Sequence, residues 1–261
     1  MAPDPQQPKR LALNAEQRRI LRLEPQFIPF LVTSLLPVMV MPYAHSSGGP
    51  LQRLVVPVVM TLLVVQSLRT LPRIDSSHRA QIAVRVFQLL GILAAAGTWL
   101  DQMPAIWHRH GTQMTVMALM AAFLMFSAVR LVQLLSRVMR VNLQVLAGAA
   151  AGYVHLGLTG GVVATLIQHM HPATFALGNY DRHEEMLERL IYFSYVTASS
   201  LGYGDVLPTN PFGERFTVLL SISSTLYVSL LVGLVLSRYI ATQDLELLDE
   251  EAFEEARDGF K

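Results

Sequence analysis

The sequence predicts an all-α membrane protein of six transmembrane helices, with a re-entrant half-helix and a glycine-rich loop between the fifth and sixth. Three observations predict this. Mean hydropathy is +0.40 and only 15% of residues are charged, where a soluble domain carries about 25%. The charges that exist are segregated, leaving six long runs free of Asp, Glu, Lys and Arg. A seventh apolar stretch, residues 190–199, is too short to cross a bilayer and runs directly into glycines, the pattern of a segment that enters the membrane and turns back.

The elements follow in order. Residues 1–26 form a basic segment carrying Lys9, Arg10, Arg18, Arg19 and Arg22. Within it, residues 14–24 set Ile20, Leu21 and Leu23 among the arginines. That is the pattern of a helix lying on an anionic leaflet, or equally of a loose basic tail. The charge-free runs are 27–43, 54–68, 86–100, 113–129, 143–168 and 216–237. A crossing helix needs about 20 residues, so the second and third runs need their flanking arginines to reach the interface. Residues 27–140 are read as a four-helix transmembrane module, 141–240 as a unit of helix, re-entrant loop and helix, and 241–261 as an acidic tail. The tail either extends the last helix or ends as a solvated segment.

Orientation follows the basic residues. With a cytoplasmic N-terminus, fifteen of the 20 lysines and arginines fall inside, leaving Arg53, Arg109, Arg182, Arg189 and Arg215 outside. Both termini are therefore expected in the cytoplasm, for an integral protein of a bacterial inner (plasma) membrane.

Composition excludes several functions. There is no cysteine, hence no disulfide, thiolate metal site or cysteine nucleophile. A formal net charge of +1 gives no field for nucleic acid. No catalytic constellation or nucleotide fingerprint is present, so neither an enzyme nor a cofactor is expected.

The chemistry concentrates in Ser200-Leu201-Gly202-Tyr203-Gly204-Asp205. A cation loses its water only if oxygens replace it at the same distance. Backbone carbonyls do so where successive ones point the same way, and glycine reaches the positive φ this requires. Ser200 adds a hydroxyl oxygen, and Tyr203 is placed to brace the loop.

This run resembles the filter of the tetrameric potassium channels, TVGYG followed by Asp. The resemblance covers roughly residues 186–240, about a fifth of the chain. It takes in Tyr192-Phe193 and residues 194–199 before the filter, then Pro208-Thr209-Asn210-Pro211, Leu226-Tyr227-Val228 and Gly233 after it. It implies a pore helix, a selectivity-filter loop and a homotetramer in membrane lipid that passes potassium ions passively. The potassium sites would be formed at Ser200, Leu201, Gly202 and Tyr203, with Gly204 shaping the mouth. Asp205, Tyr192 and Thr197 would support the filter, and Gly233 would serve as a hinge. Ser200 and Leu201 depart from the family's Thr and Val. Leucine lacks the β-branch that stiffens extended backbone. A weakly selective cation channel and a non-conducting channel-like subunit therefore stay open. A potassium uptake transporter would need four filter-like segments in one chain, and there is a single one.

The four-helix module matches a voltage sensor in number but not in chemistry. The fourth span holds Arg130, with Arg137 and Arg140 at its inner end, and the first three spans contain no acid. One charge crossing the whole field gains about 2.3 kcal/mol per 100 mV, so steep voltage gating is not expected. In the fifth span Gly148, Gly152, Gly157 and Gly161 form small-xxx-small pairs, read as packing against the last helix. His155 is the one ionisable residue there, either a packing histidine or a proton sensor. His169, His171 and His183 are spaced poorly for a metal. Asp181, Glu184, Glu185 and Glu188 make the outer segment acidic and would concentrate cations weakly.

Overall fold

In a computed structural model, the structure describes residues 27–46, 50–71, 78–100, 110–136, 143–178 and 183–258. The basic segment 1–26, with its candidate surface helix, and Asp181 of the outer acidic segment lie outside the described residues, as does Arg182. In hydrocarbon a backbone must satisfy its own polar groups, so charge-free apolar runs become helices. Seven helices result among the described residues: α1 (Phe27–Ser46), α2 (Pro50–Thr70), α3 (His78–Leu100), α4 (His110–Ser136), α5 (Leu143–Met170), α6 (His183–Ala198) and α7 (Pro211–Asp258). Four segments are long and apolar enough to cross a membrane: Gln81–Leu100, Gly111–Ser136, Leu143–Met170 and Pro211–Gly233. Phe27–Val40 and Leu54–Thr70 are shorter apolar helices. The chain is an all-helical integral membrane protein.

Helices α1 to α4 pack each against the next, and both α1 and α4 pack against α5. The peripheral module therefore closes on the fifth helix of its own chain. Phe30, Leu63, Phe87, Phe123, Leu131 and Leu158 are buried in the shared core. A second, smaller core lies beside the loop, where Ala164, Leu190, Phe193 and Val206 gather round Phe175.

The fifth helix is the hub, and its glycines determine what it meets. A Cβ on Gly161 would stand 2.5 Å from the Ile191 Cα of α6, and one on Gly157 would collide with the Tyr195 ring. Gly152 receives Tyr227 of α7, and Gly148 receives Phe27 of α1. The expectation that these small residues face the last helix thus holds at Gly152, while Gly157 and Gly161 seat the re-entrant helix. Small residues permit close approach without choosing the partner. Hydroxyls use that closeness: Ser194 donates to the Gly157 carbonyl (2.7 Å), Tyr195 to that of Val154 (2.5 Å) and Tyr227 to that of Ala149 (2.7 Å).

Helix α7 has 48 residues, roughly 72 Å at 1.5 Å each. About half exceeds the ~30 Å hydrocarbon core, so the acidic segment extends the last helix as far as Asp258.

Candidate functional site

The glycine-rich loop is fixed at both ends. Its first end grows from the C-terminus of α6. Ser200 takes a left-handed conformation (φ 60°). Its N–H donates to the Thr197 carbonyl at 3.0 Å, while the Leu201 N–H reaches back to the Val196 carbonyl at 3.0 Å. This pairing closes a helix with a left-handed residue just past its end, a place glycine usually takes. A serine there costs ~1–2 kcal/mol. The Val196 carbonyl also accepts from the Gly202 N–H (3.3 Å). One carbonyl thus holds two successive loop residues.

The loop's second end is tied to the segment that follows α5. Strand β1 (Phe175–Ala176) pairs antiparallel with β2 (Leu207–Pro208), Phe175 opposite Pro208 and Ala176 opposite Leu207. The Thr209 N–H donates to the Thr174 carbonyl (2.8 Å), and the Thr209 hydroxyl donates to the Ala173 carbonyl. The Asn210 side chain joins both pieces. Its amide donates to the Thr174 hydroxyl at 3.0 Å, and its oxygen accepts from the Gly213 N–H at 3.0 Å. Asparagine as N-cap followed by proline at the first helical position is a strong start for α7.

Between these anchors the backbone alternates hand. Ser200, Gly202 (φ 55°) and Gly204 (φ 78°) have positive φ, and Leu201 and Tyr203 do not. Successive carbonyls of an ordinary extended strand point to opposite sides. Alternating left- and right-handed residues gathers N–H groups on one side and turns the carbonyls to the other. Residues 200–204 are all exposed. Tyr203 is 67% exposed and Leu201 59%.

Behind the loop stands a charged cluster. The Asp205 carboxylate pairs with the Arg189 guanidinium at 2.9 Å and accepts a hydrogen bond from the Tyr192 hydroxyl. Arg189 also lies over the Tyr192 ring, 5.1 Å from its centroid, within cation–π range. Arg189 and Tyr192 are three apart on α6, hence on one face. Sequence reading named Asp205, Tyr192 and Thr197, quoted Thr209 and Asn210 without an anchoring role, and gave no site role to Arg189 or Thr174. Asn210-Pro211 was a readable capping signal, whereas nothing in the sequence linked Arg189 to Asp205.

Gly233 lies on the exposed side of α7, with open space where a Cβ would be. His155 is fully buried, beside Phe30. His169 packs back on its own helix, its Nδ1 2.9 Å from the Thr165 carbonyl, and His171 stacks on Phe212. No cluster of three metal-ligating side chains occurs among the described residues.

A half-crossing helix, a loop of alternating hand and a following long helix define the pore unit of an ion channel. Residues 157–241 match the family model described as Ion channel, which places an ion-channel pore domain toward the C-terminal end of the chain. The match is to a channel family and not to an enzyme family. No curated protein and no solved structure matches the chain.

Proposed function

We propose that the protein is a potassium-selective channel in which four copies of the chain surround one pore. The observation that carries this reading is the alternation of hand at Ser200, Gly202 and Gly204. It suits a column of carbonyls from Ser200, Leu201, Gly202 and Tyr203 facing one axis, with the Ser200 hydroxyl at the inner end and Gly204 at the mouth. Four such loops replace a cation's hydration shell, which one loop cannot do. The sign of the charge follows from α6, whose C-terminal end leads into the loop and carries the negative end of the helix dipole. Asp205, Tyr192 and Thr197 support the filter, as do Arg189 and Val196. Exposure of the loop and of α7 in the single chain agrees with a homotetramer.

Opening is assigned to the inner half of α7, with Gly233 as the hinge, and both termini are cytoplasmic. Voltage has little leverage. Arg130 lies 5.6 Å from the Phe126 ring centroid on its own helix, and no acidic residue lies among the described residues of α1 to α4.

The test is potassium against sodium flux into liposomes holding the purified full-length protein, with Gly202→Asp as control. Potassium flux far above sodium, lost in the control, is expected. Equal fluxes would replace this reading with a weakly selective cation pore. A tetramer on native mass spectrometry with no flux at any voltage or pH would leave the non-conducting subunit.

A further inference from the structure

Three helices of one chain meet along a layered seam. On α5, Gly148, Gly152, His155 and Thr159 follow one another at steps of four, three and four, the spacing of a single helix face. A Cβ on Gly148 would lie 3.4 Å from Leu135 of α4 and 3.0 Å from Phe27 of α1. One on Gly152 would lie 3.2 Å from Leu131 of α4. Four residues back along α4 thus match four forward along α5. By the same helical spacing, one further turn along α4 sets Ser127 level with His155. From α1, the Phe30 ring stands 5.6 Å from the His155 imidazole, and Ser34 follows one turn on.

The first two layers of the seam are filled by Phe27, Leu135 and Leu131, with the Tyr227 side chain of α7 against Gly152. The third is polar and closed to bulk solvent: Ser34, Ser127 and His155 are 0% exposed and Thr159 is 2% exposed. Two of its hydroxyls are spent on their own helices. Ser34 donates to the Phe30 carbonyl at 2.8 Å and Thr159 to the His155 carbonyl at 2.7 Å. The Ser127 hydroxyl and both ring nitrogens of His155 have no hydrogen-bond partner among the described residues. A neutral imidazole presents one donor and one acceptor, and a hydroxyl one donor and two acceptors. Buried groups of this kind find partners in nearly every folded protein, in ordered water where protein supplies none. Water has two donors and two acceptors and meets both sets at once.

We propose that this polar layer is a water-binding site, in which a bound water joins the His155 imidazole to the Ser127 hydroxyl where the peripheral helices meet the pore unit. The site is independent of the filter and of the ion it passes. It assigns His155 the role of a hydration site, in place of a plain packing residue. Ser34 and Thr159 contribute acceptor lone pairs to the same layer, since each uses its own proton elsewhere.

The test is proton-detected solid-state NMR of the full-length protein in lipid bilayers, with its eight histidines labelled at the ring nitrogens. His155→Leu assigns the His155 signal, or His155→Gln if the leucine variant does not assemble. Magnetisation transfer from water to the His155 ring is expected, with a shift of that signal in Ser127→Ala. A His155 ring without water transfer, or one indifferent to Ser127→Ala, overturns the proposal. Melting temperature gives a second reading. A shared water makes the loss in the double variant Ser127→Ala/His155→Leu smaller than the two single losses together. Strictly additive losses overturn it.

Discussion

Helices α5 and α7 both cross the membrane in the pore unit and are nearly equal in hydropathy, 1.5 against 1.8. Yet 61% of the α5 span is buried within the chain and only 11% of the α7 span. The difference lies in side-chain size. Helix α5 exposes backbone at Gly148, Gly152, Gly157 and Gly161, and bulky partners from α1, α6 and α7 fill the gaps. Helix α7 carries large apolar residues on most of its circumference. Leu219, Leu226 and Leu230 are 56–70% exposed. It touches its own chain along one stripe, at Gly213, Phe216, Leu220, Ser224 and Tyr227. The fifth helix is largely covered by its own chain, whereas most of the seventh is left exposed by it.

That contrast breaks first at Gly161. A methyl group there meets the backbone of Ile191, which has no rotamer to yield. Gly161→Ala is expected to destabilise the fold by about 3 kcal/mol, read as a large drop in melting temperature and in recovered folded protein. Gly233→Ala, with open space around it, is expected to leave the fold of the chain intact and to change only flux. A tolerant Gly161 with a fold-breaking Gly233 would reverse the comparison. The next effect in size falls where α7 begins. Asn210→Ala removes the cap on the Gly213 N–H and the bond to Thr174. A loss of about 1.5 kcal/mol is expected, measured as a lower melting temperature with selectivity of flux retained.

How much of this was legible in the sequence follows the same division. Hydropathy and charge gave the number of apolar helices, because insertion depends on composition along the chain. The loop was legible from Gly202, Tyr203, Gly204 and Asp205, because glycine marks positive φ. Ser200 was not legible as a left-handed residue, because its conformation is imposed by the bonds that close α6 and not by its own preference. The small residues of α5 were visible, but the partners of Gly148, Gly157 and Gly161 were not. A glycine declares that something comes close, and only the fold says what. Arg189 escaped for a related reason: its bond to Asp205 depends on the loop folding back across the face of α6.

The hydrogen bond from Tyr227 of α7 to α5 is smaller still in effect. Tyr227→Phe keeps the ring that fills Gly152 and removes the bond to the Ala149 carbonyl. A loss of about 1 kcal/mol is expected, with altered open time in single-channel recording and unchanged ion preference. An unchanged open time would mean that packing alone holds α7 to α5.

The smallest loss of stability is expected at Arg189. Its pair with Asp205 is about a quarter exposed on the arginine side and about a third on the carboxylate side, so water screens it and its net contribution is about 0.5 kcal/mol. Arg189→Gln should barely move the melting temperature. Its effect on function should be larger than that figure, because Asp205 adjoins Gly204 in the loop proposed above as the ion filter. Loss of the guanidinium leaves Asp205 with Tyr192 alone, and the second end of the loop gains freedom. The expected outcome is a reduced preference for potassium over sodium at nearly native stability, read by paired flux measurements. Arg189→Lys should restore part of it, since a point charge replaces the pair but not the planar stacking on Tyr192. A variant with native selectivity would place the control of the loop wholly in its backbone anchors, at Val196 and Thr174.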